Sequence, residues 1–397
     1  MKIVHFCTYP GRGGAGTAAN RIHTKIRGLI GWDSHIVGAV RTDGATTKLQ
    51  KIFFAFNYRL DRILSYGAQR NEWSFGLIGR LGGTSRKILK EADIACLYWT
   101  SHGFLGVLQI AYILRIKKKV VWRLSDMWVF TGGCHYSNGC ERFSDDCGYC
   151  PALKSNRKWD RSRLLMKMKK LLWNTQRLKI ICPSSWMADK AKGSSLLGSA
   201  AISVIHTGVD VGIFRPVGER VKGRKKVAIL FIADGGLRST RKGGGDVRKI
   251  NDRLKEWGVK NYEIKVAGIL SGYEKADGIS ELGFIKNTED LVKLYTTSDF
   301  LLAPYREDNL PNTVIEAMSC ALATVCYDIG GIRDIVKHNQ TGLLASAYSI
   351  DEITEHCITL INKEELSKKL GSSARKLVLD KFNLDIQVEA FCKLIIS

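Results

Sequence analysis

At 397 residues the chain is too long for one ordinary hydrophobic core and suits two domains, and its 45% hydrophobic content excludes an intrinsically disordered class. The net charge of +23 is lopsided: residues 1–205 hold 33 Lys and Arg against 12 Asp and Glu, residues 206–397 hold 28 against 26. Such a field draws phosphate-bearing partners, of which an anionic membrane surface fits the rest of the sequence best, and no nucleic-acid module is present.

Met1–Phe6 reads as a strand rather than a signal peptide, and no apolar run approaches the ~20 residues that span a bilayer. Eleven cysteines without an export signal predict reduced thiols or metal ligands in a cytoplasm. The expected place is therefore cytoplasmic, peripheral at the inner face of the cell membrane.

In chain order, a strand at Ile3–Phe6 leads through the glycine turn PGRGGA (Pro10–Ala15) into a helix over Thr17–Leu29. Glycines let a backbone approach a ligand closely, and a helix start welcomes phosphate, which makes Gly13 and Gly14 candidates. The full GxGxxG fingerprint is missing, so a plain tight turn is the competing reading. Further strands at Ser34–Val40, Ile94–Trp99 and Lys119–Leu124 alternate with helical patterns near Asn57–Gln69 and Gly103–Arg115, which predicts a parallel sheet covered on both faces. Asp126, at the end of the fourth strand, is a polar candidate or a strand-end cap.

Cys134, Cys140, Cys147 and Cys150 lie in a glycine-rich loop over 132–151 with the spacing C-x5-C-x6-C-x2-C. Four thiolates can surround one Zn²⁺, so the pattern allows a structural zinc, with His135 as a substitute ligand, the competing reading being free or disulfide-paired cysteines. Lys154–Lys179 is strongly basic, with Leu164, Leu165, Met168, Leu171 and Leu172 on one helical face. It reads either as a helix at an anionic membrane surface or as an ordinary core-facing helix with solvated charges. Strands at Leu178–Cys182 and Ile202–His206 close the first domain, and Val217–Lys226 has the polar, basic composition of a linker.

The second domain opens with a strand at Lys226–Ile232 and a Gly- and cation-rich loop, ADGGLRSTRKGGG (Ala233–Gly245), carrying Arg238, Arg241 and Lys242. Strands follow at Tyr262–Ala267, Asp299–Ala303 and Thr324–Asp328, with a helix at Thr288–Thr297. Asp308–Asn312 reads as a loop and Thr313–Leu322 as a helix with Asn312 as its N-cap. That helix start carries roughly half a unit of positive charge, suited to a diphosphate, and Asp308 and Glu316 bracket it. The carboxyl ends of these strands share one side, where ligands of open α/β sheets bind. Helical patterns at Glu364–Leu379 and Asp385–Ile396 end the chain.

The words EDNLPNTVIEAM (Glu307–Met318) and GGIRDIV (Gly330–Val336), with ADIACLYWTSHGFLGV (Ala92–Val107) and the stretch Val120–Leu153, resemble the GT-B-fold retaining glycosyltransferases of family 4, in a polysaccharide-biosynthesis branch. The resemblance implies two Rossmann-like, doubly wound parallel-sheet domains facing one cleft, with C-terminal helices crossing back to the first. Residues 1–207 would form the acceptor domain, 208–380 the nucleotide-sugar domain and 381–397 the crossover. It implies that Glu316 grips the nucleotide ribose and that Asp308, standing where the usual acid is Glu and rivalled by Glu307, faces the donor sugar. Lys242 would meet the donor diphosphate, aided by Arg238 or Arg241 because Gly236 occupies the usual basic position. Gly13, Gly14, Asn309, Leu310, Asn312 and Thr313 would complete the donor site.

Retention in this family proceeds by a same-face displacement that needs no protein nucleophile, and the chain has no D-x-D, so no catalytic cofactor is expected. The partners implied are a nucleotide-sugar donor and a glycan or lipid-diphosphate-linked acceptor. Two departures stand out: Ser125 precedes Asp126 and Tyr98 precedes Trp99, where members commonly carry His. The alternatives are a GT-B sugar-nucleotide epimerase, or a non-catalytic basic protein that binds membrane or nucleic acid.

Overall fold

The computed structural model describes residues 1–28, 32–39, 48–68, 72–117, 119–218, 226–270, 272 and 276–396. Most of the predicted linker, residues 219–225, lies outside the described residues. The chain divides into two compact units, residues 1–205 with 388–397, and residues 206–387.

The first unit runs β1 (Lys2–Phe6), α1 (Gly13–Arg27), β2 (Asp33–Val37), α2 (Lys48–Leu64), α3 (Gly83–Glu91), β3 (Ile94–Leu97), α4 (Val107–Ile116), β4 (Lys119–Arg123), α5 (Arg161–Leu172), β5 (Leu178–Cys182), α6 (Ser185–Lys192) and β6 (Ala201–Val204). Its six strands are parallel, in the order β2-β1-β3-β4-β5-β6. The central strands read as short unbroken apolar runs because both of their faces are covered; all four residues of β3 are buried.

The second unit runs β7 (Val227–Ile232), α7 (Gly244–Glu256), β8 (Tyr262–Ala267), β9 (Ile279–Gly283), α8 (Thr288–Thr297), β10 (Phe300–Ala303), α9 (Asn312–Ser319), β11 (Ala323–Tyr327), α10 (Ile332–Ile335), β12 (Gly342–Ala345), α11 (Ile350–Asn362) and α12 (Glu364–Lys381). The sheet is again parallel, ordered β12-β11-β10-β7-β8-β9. Every residue of β10 and β11 is buried. Leu230, Leu301, Leu302 and Val325 are wholly inaccessible, each stabilising the unit by about 1.5–3 kcal/mol on transfer from water. The last helix, α13 (Leu384–Ile396), begins in this unit, and from Val388 the chain returns to the first, where the Phe391 ring stacks 6.4 Å from His5. Among the described residues no helix is long and apolar enough to cross a membrane.

Two helix starts differ from the sequence reading. Helix α1 begins at Gly13, so the glycine pair is its first turn. Helix α9 takes Pro311 as its N-cap and Asn312 as its first residue, so Asn312 does not cap it. Proline's fixed φ sets the extended conformation that a helix entry needs without help from a side chain.

Candidate active site

In the second sheet the winding reverses between β7 and β10, so the loops leaving their carboxyl ends part and open a crevice there. The loop after β7 carries Arg241 and Lys242; the loop after β10 carries Tyr305 to Asn309. Gly243 joins the two. It sits in the left-handed region at φ +72°, and a Cβ on it would lie 1.9 Å from the Pro304 carbonyl oxygen, so only glycine allows this approach. The Arg306 N–H donates to the Arg241 carbonyl at 2.8 Å and holds the loops in register.

Asp308 lies in that crevice and is buried. Its Oδ2 accepts from Lys242 Nζ at 2.7 Å and Arg241 Nη1 at 2.8 Å. Burial raises the Asp308 carboxyl, but the two cations outweigh it and hold it below the usual carboxylate range. Lys242 in turn is pulled down by burial, against the pull of Asp308. Its Nζ also rests 4.0 Å from the centre of the Tyr305 ring. The Asp308 carboxylate thus holds two cations beside a helix start. Of the two arginines considered from sequence, Arg241 stands at the carboxylate, and Arg238 is exposed. Gly236 has φ +52°, and a Cβ there would lie 2.3 Å from the Ile269 carbonyl oxygen, which explains why no basic side chain occupies that position.

The Tyr305 hydroxyl donates to the Ile232 carbonyl at 3.0 Å and bonds Thr313 Oγ1 at 2.8 Å, tying the crevice floor to the first turn of α9. Glu316, one turn on, is buried and accepts from the Tyr295 hydroxyl at 3.1 Å. Asn309 and Leu310 are buried, whereas Asn312 and Thr313 are half-buried at the helix start. Gly331 N–H donates to the Asp308 carbonyl at 3.1 Å, and a Cβ on Gly330 would lie 2.3 Å from the same oxygen. The Gly330-Gly331 turn thus braces the acid's backbone. Sequence reasoning missed Tyr305, Tyr295 and the bidentate Arg306–Asp246 pair at 2.8 and 2.6 Å. Tyr305 directly follows Pro304 after a buried strand, and that placement was the available signal.

In the first unit the winding reverses between β1 and β3, and an aromatic rim stands at their carboxyl ends. The Tyr9 ring lies 5.9 Å from Trp99, and His102, at φ +61°, lies 4.6 Å from Trp99. Gly13 and Gly14 are exposed just beyond β1 at the start of α1. Asp126 is buried beneath the rim: its Oδ2 accepts from Trp99 Nε1 at 2.7 Å and bonds His135 Nδ1 at 2.5 Å, and its Oδ1 accepts from the Trp128 N–H. Asp126 thus anchors an imidazole and an indole. Tyr98 is fully buried with its hydroxyl 2.9 Å from His5 Nδ1. Burial, helped by the neighbouring His135, pulls His102 down to about 4, so it is neutral at ordinary pH.

Cys134, Cys140, Cys147 and Cys150 line one small cavity. Among the described residues, however, no group of three or more His, Cys, Asp or Glu is arranged to hold a metal ion. The thiols of Cys134 and Cys150 hydrogen-bond to each other, Cys147 Sγ accepts from the Gly132 N–H at 3.2 Å, and both ring nitrogens of His135 are engaged, by Asp126 and by Ser74 Oγ. The loop is also braced by Lys169, fully buried on α5. Its Nζ donates to the Thr131 carbonyl at 2.9 Å and to the Trp128 carbonyl, 3.8 Å from the centre of the Trp128 ring.

Burial pulls Lys169 down to about 7. Between that value and the ordinary lysine range of about 10.4 the unfolded chain binds the extra proton, so this group makes stability rise with pH. Lys169→Met is expected to flatten the rise in melting temperature over that window. An unchanged slope would assign it to other groups.

A family model described as "Glycosyl transferases group 1" matches residues 258–377, which contain Asp308 and Glu316. The chain is 25% identical over 282 residues to the putative colanic acid biosynthesis glycosyl transferase WcaC of Escherichia coli, covering 66% of each. Over that segment the chain is similar to the group 1 glycosyltransferases. Over 138 residues the chain is also 25% identical to the capsular polysaccharide biosynthesis glycosyltransferase CapM of Staphylococcus aureus, covering 32% of the chain and 36% of CapM. It thus spans two-thirds or less of the length of these curated relatives. Its fold is shared with the Anabaena protein Alr3699/HepE, solved in complex with UDP and glucose, at TM-score 0.65 and 14% identity over 100% of this chain and 99% of that one. Both units are Rossmann-like, and the architecture is GT-B.

Proposed function

We propose that this chain is a group 1 glycosyltransferase that moves a sugar from a nucleotide-sugar donor to a glycan acceptor, with retention and without a catalytic metal, in the assembly of a cell-surface polysaccharide. The observation that carries the reading is the buried Asp308 clamped by Lys242 and Arg241 at the switch point of the second sheet. Cations held there by a carboxylate are positioned before any ligand arrives, so they stabilise charge developing on a leaving diphosphate at little reorganisation cost.

In this reading Glu316 holds the ribose, Asp308 a donor-sugar hydroxyl, and the first turn of α9 a phosphate oxygen. The acceptor oxygen bonds to the anomeric carbon on the face from which the diphosphate leaves. The carbon–diphosphate bond breaks, and the hydroxyl proton passes to the leaving diphosphate, so no protein nucleophile is used. The polysaccharide assignment rests on the printed functions of WcaC and CapM, and the nucleotide-sugar donor on HepE's complex with UDP. We assign the aromatic rim of the first unit to the acceptor, which in this setting is lipid-linked, and the basic first unit to an anionic membrane surface.

The test is hydrolysis of UDP-, GDP-, dTDP- and ADP-sugars in chelator, with the anomer of the released sugar read by NMR at early times. One donor slowly hydrolysed, with its anomeric configuration kept, supports the reading. Binding without turnover of any donor favours the non-catalytic alternative, and hydrolysis only with added divalent ion removes the metal-independent part.

A further inference from the structure

Helix α2 carries an apolar stripe on its outward face. Its most buried residues are polar: Asn57 and Asp61, one turn apart, are buried beside the half-buried Phe54, Tyr58 and Leu64, with Asn57 Nδ2 donating to the Gly103 carbonyl at 3.3 Å and the Gly76 N–H donating to Asp61 Oδ1 at 2.6 Å. Its outward face is apolar. Ile52, Phe56 and Ile63, spaced to share one side of the helix, are 63%, 61% and 69% exposed, and Phe53 beside them is 41% exposed. Large apolar side chains aligned along three turns, with polar groups buried behind them, are not what a solvated helix carries.

The charges around this stripe have one sign. Lys51, Arg59 and Arg62 are exposed, the Arg80 guanidinium sits 3.7 Å over the Phe53 ring, and the one acid between residues 51 and 66, Asp61, is turned inward. A second copy of this chain would bring these cations against their own kind. An anionic lipid surface satisfies both features: the apolar chains enter the acyl boundary while Lys and Arg meet the headgroups.

We propose that the outward face of α2 is the membrane-docking surface of this protein, inserting Ile52, Phe56 and Ile63 among anionic lipids. The inference rests on the membrane reading above and gives it an element other than the basic helix singled out from sequence. Helix α5 adjoins it: Arg161 donates to the Leu64 and Tyr66 carbonyls at 2.6 and 2.5 Å, and α5 exposes Leu171 by 84%. The docking helix also walls the aromatic rim, because the Phe54 ring lies 6.2 Å from Tyr9 and the Tyr58 ring 5.4 Å from His102. Lipid insertion would therefore bring the rim to the surface that carries a lipid-linked acceptor.

The test is co-sedimentation of the full chain with phosphatidylcholine vesicles, with and without phosphatidylglycerol, for the wild type, the triple variant Ile52→Gln/Phe56→Gln/Ile63→Gln, and Leu171→Gln. Far-ultraviolet circular dichroism and binding of UDP, GDP, dTDP and ADP verify that each variant is folded. The wild type is expected to sediment only with the anionic vesicles, and the triple variant to lose at least about tenfold in partitioning, more than Leu171→Gln loses. Equal binding by wild type and triple variant overturns the α2 assignment and leaves the membrane reading standing. No wild-type binding overturns both. A wild-type dimer that the triple variant converts to monomer makes the face a self-interface and overturns the proposal.

Discussion

Replacing Lys242 with Met is expected to lower turnover by about 10²–10³-fold, the usual loss when one preorganised donor to a developing oxyanion is removed. Met keeps the length and apolar bulk that lie against the Tyr305 ring, and Asp308 keeps Arg241 at 2.8 Å, so the crevice stays intact while its charge falls by one. The loss should appear in kcat at saturating donor, because the charge that Lys242 meets grows as the diphosphate departs. Lys242→Arg should recover part of it. A steady-state comparison of the three proteins checks this, and a Met variant that loses only affinity would make Lys242 a ground-state binder.

Glu316→Gln is expected to act the other way, weakening donor binding by about 10–150-fold, or roughly 1.5–3 kcal/mol for hydrogen bonds to a charged acceptor, with less change in kcat. The amide oxygen can still accept from Tyr295, now at 3.1 Å from the carboxylate, so the packing of α9 on α8 is preserved and the change is confined to charge. Calorimetric titration of both proteins with the donor gives the difference directly. Equal affinities would remove Glu316 from the ribose.

Much of this was legible in the sequence because buried parallel strands are short apolar runs and glycine-rich turns mark the loops between them. The strand before Pro304, the acid at 308 and the cations at 241 and 242 are local words, and the structure brings them to one crevice. Helix α7 was missed because it opens on glycines that read as loop. The Asp126–His135 pair was missed because the partners lie nine residues apart across a loop with no periodicity. The cysteine spacing gave the cluster that lines one cavity, but not the Gly132 N–H on Cys147 or the Cys134–Cys150 thiol contact. Periodicity finds the two faces of α2, yet it would put the apolar face inward, since the buried Asn57 and Asp61 owe their place to carbonyl and amide partners on distant segments.

The central claim is that the second unit's switch point receives the donor. Backbone hydrogen exchange of the full chain, with and without each of UDP, GDP, dTDP and ADP, tests it most directly. The account predicts that the nucleotide that binds slows exchange at residues 236–246 and 305–316 and leaves β8 and β9 unchanged. Saturating binding with no added protection in either segment would contradict it.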